Sequence, residues 1–271
     1  MTRRIARPTD SPALVHREQD EDGRGGRTSV APDAAPTEPF VVPHDELPCH
    51  VAVIMDGNRR WARARGQNEM DGHAAGVEAI REIIRHTVRR GIEVLSLYAF
   101  SRENWARSDE EVGGLFFLLE KVIRNETEEL KAQGARVNIL GRMEELPPET
   151  RESIQTALEA TAGGTRLRLN IAFNYSGRTE LVDAARRVAA LGFAPDDVDE
   201  QTLAGLLYTA DLPDPDMVIR TGGDQRLSNF LIWQAAYAEI YFCPTLWPDF
   251  GPAELDEALI DYARRQRRYG K

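Results

Sequence analysis

Cysteine is scarce in this chain of 271 residues: Cys49 and Cys243 stand far apart. There is no CxxC pair and no nearby histidine pair, which excludes a disulfide framework and a zinc ribbon. Two unpaired thiols suit a reducing cytoplasm, the expected location. No run of 18 apolar residues occurs, so no segment is expected to span a membrane. The first residues also lack the apolar core of a signal peptide. Positive charge is in deficit, with 34 Lys and Arg against 44 Asp and Glu and a net charge of −10. A general nucleic-acid binder needs clustered positive charge, so no nucleic-acid partner is expected, although a local group of arginines can still hold a small anion. The GxxxxGK[ST], GxSxG and GxGxxG motifs are missing as well. P-loop nucleotide hydrolysis and serine-hydrolase chemistry thereby lose their support.

What is present is ordinary globular material, 42% hydrophobic and 29% charged, behind a different N-terminal segment. Residues 1–46 hold six prolines, a Gly-Arg-Gly-Gly-Arg stretch and few large apolar side chains. They cannot bury enough surface to offset their ordering entropy, so they read as a disordered tail. The Arg3-Arg4 pair suits a partner or lipid-surface contact, and a plain solvated tail explains it without either. Residues 47–271 read as one folded domain.

Within that domain short apolar runs alternate with amphipathic stretches. Buried strands are expected at His50–Met55, Ile92–Phe100, Val137–Leu140, Leu167–Phe173, Met217–Arg220 and Glu239–Phe242. Ile80, Ile83, Ile84, Thr87 and Val88 follow helical spacing, with Gly91 suited to the left-handed position after the helix. Further helices are expected at Glu110–Gln133, from Pro147-Pro148-Glu149 to Gly163-Gly164, at Thr179–Leu191 and at Ala253–Arg268. The alternation predicts an α/β fold, a central mostly parallel six-stranded sheet flanked by helices.

The unusual residues fall just beyond the carboxyl ends of those strands, where open α/β sheets place their ligand crevice. Asp56-Gly57-Asn58-Arg59-Arg60-Trp61 follows the first strand, Ser101, Asn104 and Arg107 the second, Asn174 the fourth, and Arg220 closes the fifth. Backbone amides at a helix start and adjacent guanidinium groups suit a phosphate. Asp56 makes sense there as a holder of Mg²⁺, a hard cation that bridges carboxylates to phosphates. A β-turn followed by a solvated basic helix fits the same segment. Ser101 reads equally as a helix N-cap with Asn104 facing solvent. Arg220-Thr-Gly-Gly-Asp-Gln-Arg226-Leu-Ser228 reads as a second anion cradle or a surface loop. Glu239 lies in otherwise apolar surroundings, where a metal or cationic partner is expected. Asp196-Asp197-Val-Asp199-Glu200 resembles an acidic metal box, but helix caps and first-turn acids explain it better. His73, at a helix start, suits a phosphate contact.

Met-Asp56-Gly-Asn-Arg-Arg-Trp-Ala, Phe-Ser101-Arg-Glu-Asn-Trp and Arg220-Thr-Gly-Gly-Asp-Gln-Arg-Leu-Ser-Asn-Phe, in that order, resemble the signature regions of the cis-prenyltransferases over roughly His50 to Lys271. The resemblance implies a homodimer and Mg²⁺-dependent condensation of isopentenyl diphosphate with an allylic diphosphate such as farnesyl diphosphate. New double bonds are cis, and the product is a long polyprenyl diphosphate such as undecaprenyl diphosphate, a lipid carrier for wall glycans. It implies Asp56 as the essential metal-linked carboxylate and Glu239 as the residue completing the metal site. Gly57, Asn58, Arg60 and His73, with Trp61 and Arg107, would bind the allylic diphosphate. Ser101, Asn104 and Trp105 would lie beside the reacting carbons, and Asn104 would position the departing proton. Arg220, Arg226 and Ser228 would hold isopentenyl diphosphate. Arg268-Tyr269-Gly270 resembles an element that reaches the partner subunit's site.

An apolar product needs an apolar tunnel, for which Leu115-Phe116-Phe117-Leu118-Leu119 and Val122-Ile123 are candidate walls. Its release would bring the protein to a membrane surface. The departures are specific. Glu69 stands where long-chain members carry an arginine, and would repel substrate unless it turns away. Arg59 replaces a glycine and would compensate. Gln225 and Asp224 stand where relatives carry His and Glu. Ala99 is small, which favours an open tunnel and a long product. The alternatives are a short-chain Z-prenyl diphosphate synthase and a non-catalytic partner subunit of an active homologue.

Overall fold

The computed structural model describes residues 41–265. Most of the tail expected over 1–46 therefore lies outside the described residues, as does Arg268-Tyr269-Gly270. Within 41–46, His44–Glu46 forms a 3₁₀ turn. It packs close to Gly91, where a Cβ would meet the His44 ring nitrogen at 2.7 Å. The described residues belong to one unit, Pro39–Lys271.

Six strands form the sheet: β1 (His50–Ile54), β2 (Val94–Ser101), β3 (Ala135–Leu140), β4 (Leu167–Tyr175), β5 (Met217–Arg220) and β6 (Glu239–Phe242). Their order is β3-β4-β2-β1-β5-β6, and every pairing is parallel rather than mostly so. All six carboxyl ends therefore lie along one rim. The connecting helices are α1 (Asn58–Ala64), α2 (Glu69–Arg90), α3 (Asp109–Ala132), α4 (Pro148–Thr161), α5 (Gly177–Leu191), α6 (Glu200–Ala204) and α7 (Pro252–Arg264). The last helix ends before the expected Arg268, because Arg265 is already extended.

β1 shows why its apolar run carries no polar alternation. Val51 and Val53 face a core shared with Ile83 of α2 and Leu259 of α7. Ala52 and Ile54 face Phe230 and Leu231 on the other side. A strand covered on both faces needs apolar side chains at every position. A third cluster joins Phe100 and Phe173 to Phe116 of α3 and Ile154 of α4. Asn68 caps α2 by accepting from the Asp71 amide, and Gly91 closes it at φ 75°. The acidic box at 196–200 resolves as expected for caps: Asp199 accepts from the Thr202 amide at 2.7 Å and starts α6.

Candidate active site

The loop after β1 is braced by the segments that follow β5 and β6. The Asp56 amide donates to Thr221 Oγ1 at 2.9 Å, and the same hydroxyl donates back to the Asp56 carbonyl at 2.7 Å. The Trp247 amide donates to that carbonyl too. Gly57 turns the chain at φ 117°, with Leu246 only 2.9 Å from any Cβ placed there. Gly222 sits at φ 82°, and a Cβ on it would strike Arg60 at 2.6 Å. Both positions require glycine on conformation and on space.

This bracing aims the Asp56 carboxylate at two guanidinium groups. Arg60 reaches Asp56 Oδ1 at 3.1 Å and donates to the Gly222 carbonyl at 2.6 Å. Arg220, only 4% exposed, reaches Asp56 Oδ2 at 2.8 Å. It also donates to Ser228 Oγ at 2.6 Å and to the Arg226 carbonyl at 2.5 Å. Asp224 bridges Arg220 at 3.3 Å and the exposed Arg226 at 2.6 Å. Burial works to raise the Asp224 pKa, but Arg226 and Arg220 outweigh it and hold the carboxyl below its ordinary value. Ser228 and Asn229 adopt φ of 48° and 64°, conformations sparsely populated outside glycine and retained where surroundings enforce them. Asn229 supplies that enforcement, donating to Glu103 and Ser176.

The segment after β2 folds over the same rim. Ser101 is the N-cap of the 3₁₀ turn Arg102–Ala106, as the capping reading expected, and the half-buried Asn104 accepts through Oδ1 from the Ser101 amide at 3.0 Å. Trp105 donates from Nε1 to Asn174 Oδ1 at 2.8 Å, and its ring packs on Phe100 and Phe116. Asn174 lies inside β4 rather than beyond it, at φ 50°. Arg107 pairs with Glu111 at 2.8 Å, and the same carboxylate oxygen lies 3.7 Å from His73 Nε2. His73, on α2, is half-buried against α3. That burial, with the Arg107 charge, pushes the imidazole below its ordinary pKa, and its Nε2 has no hydrogen-bond partner. Asn58 Oδ1 is likewise buried and unpartnered.

Glu69 is neutralised by neighbouring arginines rather than facing solvent. It pairs with Arg59 at 2.6 Å and Arg63 at 2.5 Å, and the Arg59 contact leads in lowering its pKa. Arg59 is thus occupied by Glu69 rather than freed to compensate for it. Trp61 points to the outside, donating to Asp249 at 2.6 Å beneath the Arg65 guanidinium. Glu239 is not brought to this rim. It opens β6 opposite Met217, whereas Ile54, just before Asp56, pairs with Arg220 at the other end of β5. Three rungs, about 10 Å along the strand, separate those two levels, and Asp56 lies two residues beyond the upper one. Glu239 is balanced instead by Arg265 at 3.0 Å. Within one chain, therefore, Asp56 and Glu239 do not share one site.

Beneath the rim, between α2, α3 and the sheet, lies a cavity of about 180 Å³. Its mouth carries Asn58 and His73, and its walls include Ala99, Leu115, Leu118, Leu119, Val122 and Ile123. Two expected wall residues go elsewhere because helical geometry turns them away. Phe116 joins the Phe100–Phe173 core, and Phe117 is 64% exposed. Sequence reasoning missed Thr221, Glu111 and Trp247, which hold the site from neighbouring segments. Thr221 adjoins the Arg-Thr-Gly-Gly motif and was within reach of the pattern; Glu111 carried no local signal.

The chain matches, over residues 54–270, the family model described as "Putative undecaprenyl diphosphate synthase". An isoprenyl transferase of Heliobacterium mobile is 45% identical over 249 residues, covering 90% of this chain and 95% of that protein. The ditrans,polycis-undecaprenyl-diphosphate synthase of Pseudomonas aeruginosa is 46% identical, over 83% of this chain and 91% of its own length. Among solved structures, lavandulyl diphosphate synthase from Lavandula x intermedia, in complex with dimethylallyl diphosphate, superposes with a TM-score of 0.82 at 37% identity, covering 84% of this chain and 100% of the other. With its all-parallel sheet, its arginine-lined rim and an apolar cavity below, the chain belongs to the undecaprenyl diphosphate synthase family of cis-prenyltransferases.

Proposed function

We propose that this enzyme condenses isopentenyl diphosphate with an allylic diphosphate such as farnesyl diphosphate, in cis, and repeats the step to a long polyprenyl diphosphate. The observation that carries this reading is one shared boundary: Asn58 and His73 belong both to the charged rim and to the mouth of the cavity. A substrate with an anionic head and a growing apolar tail fits that junction. Six guanidinium groups (Arg59, Arg60, Arg63, Arg107, Arg220, Arg226) face four carboxylates (Asp56, Glu69, Glu111, Asp224), an excess of two positive charges.

In each cycle the allylic C–O bond breaks, diphosphate leaves, and the isopentenyl double bond supplies the electrons of the new C–C bond. A proton is then lost from the carbon beside the new bond's branch point. Arg60 and His73, with Gly57 and Asn58, would hold the leaving diphosphate, assisted by Arg107. Arg220, Arg226 and Ser228 would hold the second diphosphate. Ser101, Asn104 and Trp105 would lie beside the reacting carbons, with Asn104 positioning the proton to be lost. A hard divalent cation that shares substrate phosphates takes one or two carboxylates, and Asp56, partly exposed between Arg60 and Arg220, would supply one. Mg²⁺ held there would offset the charge that develops on the leaving diphosphate. The chain would act as a cytoplasmic homodimer, with the product passing to a membrane surface.

The small Ala99 in the cavity wall favours a long product over a short-chain Z-product. Retention of Asp56, Asn104 and Arg226 favours an active enzyme over a non-catalytic subunit. Incubation with farnesyl and isopentenyl diphosphates and Mg²⁺, followed by mass analysis, tests this. A Mg²⁺-dependent ladder reaching long products is expected; a ladder ending after one addition would refute the long-chain reading.

A further inference from the structure

The 3₁₀ turn Arg102–Ala106, which carries Asn104, is tied down by three of its side chains, each leading to a different segment. Arg102 pairs with Glu145, beyond β3. Trp105 donates to Asn174 of β4 at 2.8 Å. Glu103 accepts from Nδ2 of Asn229, the residue after Ser228, at 3.0 Å. The same Nδ2 donates to Ser176 Oγ at 2.8 Å, and Asn229 Oδ1 accepts from the Arg178 amide at 2.9 Å. The Asn229 carbonyl accepts from the Gly177 amide at 2.9 Å, and a Cβ on Gly177 would stand 2.9 Å from that oxygen. Every polar atom of the Asn229 side chain is thus engaged, across the segments that follow β2, β4 and β5. β2 itself is held to the same stretch. The Tyr98 hydroxyl donates to the Ser228 carbonyl at 3.4 Å, and the Tyr98 ring stacks on Phe230 with centroids 4.5 Å apart.

Resting on the function proposed above, we propose that Asn229 is a positioning residue that couples the isopentenyl diphosphate cradle to the turn carrying Asn104. Of the three anchors of that turn, only the one at Glu103 leads to the cradle. Arg220 holds Ser228 Oγ at 2.6 Å, and the next residue along the chain holds Glu103. Asn104 follows Glu103 and caps the turn from within through the Ser101 amide. A diphosphate seated on Arg220 and Ser228 restrains the residue beside them, and through Glu103 it restrains the turn. Orientation is worth much at a reacting centre, where a misplacement of about 1 Å costs roughly 100-fold in rate. Glu103 is exposed, and water competes for its hydrogen bond, so the contact adds little to stability. Its effect is on direction. The contact needs a donor facing an acceptor, and it survives when the two positions exchange those roles.

The test is steady-state kinetics of the full chain with farnesyl diphosphate, isopentenyl diphosphate and Mg²⁺, with folding checked by circular dichroism. Asn229→Asp keeps the acceptor for the Arg178 amide and tolerates the left-handed backbone at φ 64°, but it sets a carboxylate against Glu103. It is expected to lower kcat about tenfold or more and to raise the KM for isopentenyl diphosphate. The KM for farnesyl diphosphate should stay within about twofold of wild type, since Arg60 and His73 are untouched. Glu103→Gln keeps an acceptor for Asn229 and is expected to cost kcat no more than about threefold. Combining Glu103→Gln with Asn229→Asp reverses donor and acceptor. That combination is expected to recover kcat to within about threefold of wild type, which a merely structural role would not produce. If Asn229→Asp fails to fold, Glu103→Ala removes the same contact from its exposed side and is expected to show the same loss of kcat. An unchanged kcat in the folded Asn229→Asp or Glu103→Ala variant would overturn the coupling while leaving the enzymatic reading intact. So would a combined variant as slow as Asn229→Asp, or a KM for farnesyl diphosphate that rises as far as that for isopentenyl diphosphate. A wild-type chain that makes no polyprenyl product would instead overturn the function and the coupling with it.

Discussion

Arg220 NH2 lies 2.8 Å from Asp56 Oδ2, so the ends of two neighbouring strands separated by 164 residues of chain meet in one ion pair. Asp56 is left as the hinge of the rim, with a guanidinium on each oxygen. Replacing it by Ala or Asn is expected to lower turnover by at least about 100-fold, the scale of losing one preorganised electrostatic partner in a transition state. Secondary structure should be retained. Steady-state assay with circular dichroism checks this, and near-normal turnover would refute the metal assignment.

Glu69 occupies Arg59 and Arg63 at a position where the bound diphosphate would compete for the same cations. Both arginines are substantially exposed, so the pair is worth about 0–1 kcal/mol. Glu69→Gln is therefore expected to lower the KM for the allylic diphosphate by up to about fivefold, with kcat little changed. A rise in KM would show that Glu69 positions Arg59 rather than competing for it.

His50 links β1 to β2 through Ser96 Oγ at 2.8 Å, and its other ring nitrogen meets the Pro213 carbonyl at 2.7 Å. Burial pushes its pKa down to about 4, against the opposing pull of the Pro213 hydrogen bond. The unfolded chain binds this proton near pH 6.5, and the folded chain binds it only near 4. The neutral ring's contribution is thus complete above pH 6.5 and lost as pH falls toward 4, about 3 kcal/mol in all. Denaturant unfolding at several pH values should show a flatter slope across that window in His50→Gln than in wild type. Parallel slopes would exclude the linkage.

Asn174 combines a φ of 50° with a hydrogen bond to the Trp105 indole and two more, to the Arg142 carbonyl and Glu145. Asn174→Ala is expected to be less stable than Asn174→Gly by about 1 kcal/mol, because only the former places a Cβ in the left-handed region. Both variants should lower kcat/KM by about tenfold through loss of the Trp105 anchor. Thermal unfolding separates the backbone effect, and kinetics reads the anchor.

Most of the architecture was legible because a buried parallel strand writes itself as an unbroken apolar run. Met217–Arg220 and Glu239–Phe242 match the observed strands residue for residue. Gly91 and Asp199 marked their helix ends through local capping chemistry that needs no tertiary context. Strand ends that carry function were less legible. Asn174 reads as a loop residue because asparagine is common in turns, yet the sheet continues through it.

The motifs alone determined that Asp56, Arg220 and their neighbours belong to strand ends, and a parallel sheet collects such ends on one rim. Only the folded chain decided which groups touch. Glu239 lies in sequence within an apolar stretch where a cationic partner is expected, yet it opens its strand instead of closing it, and so stands at the opposite end beside Arg265. Arg59 and Glu69 are two departures that read as opposed in sequence and prove to be one ion pair in space. Sequence spacing carries local periodicity and caps. The pairing of charges across segments depends on strand order and register, which no single stretch of chain encodes.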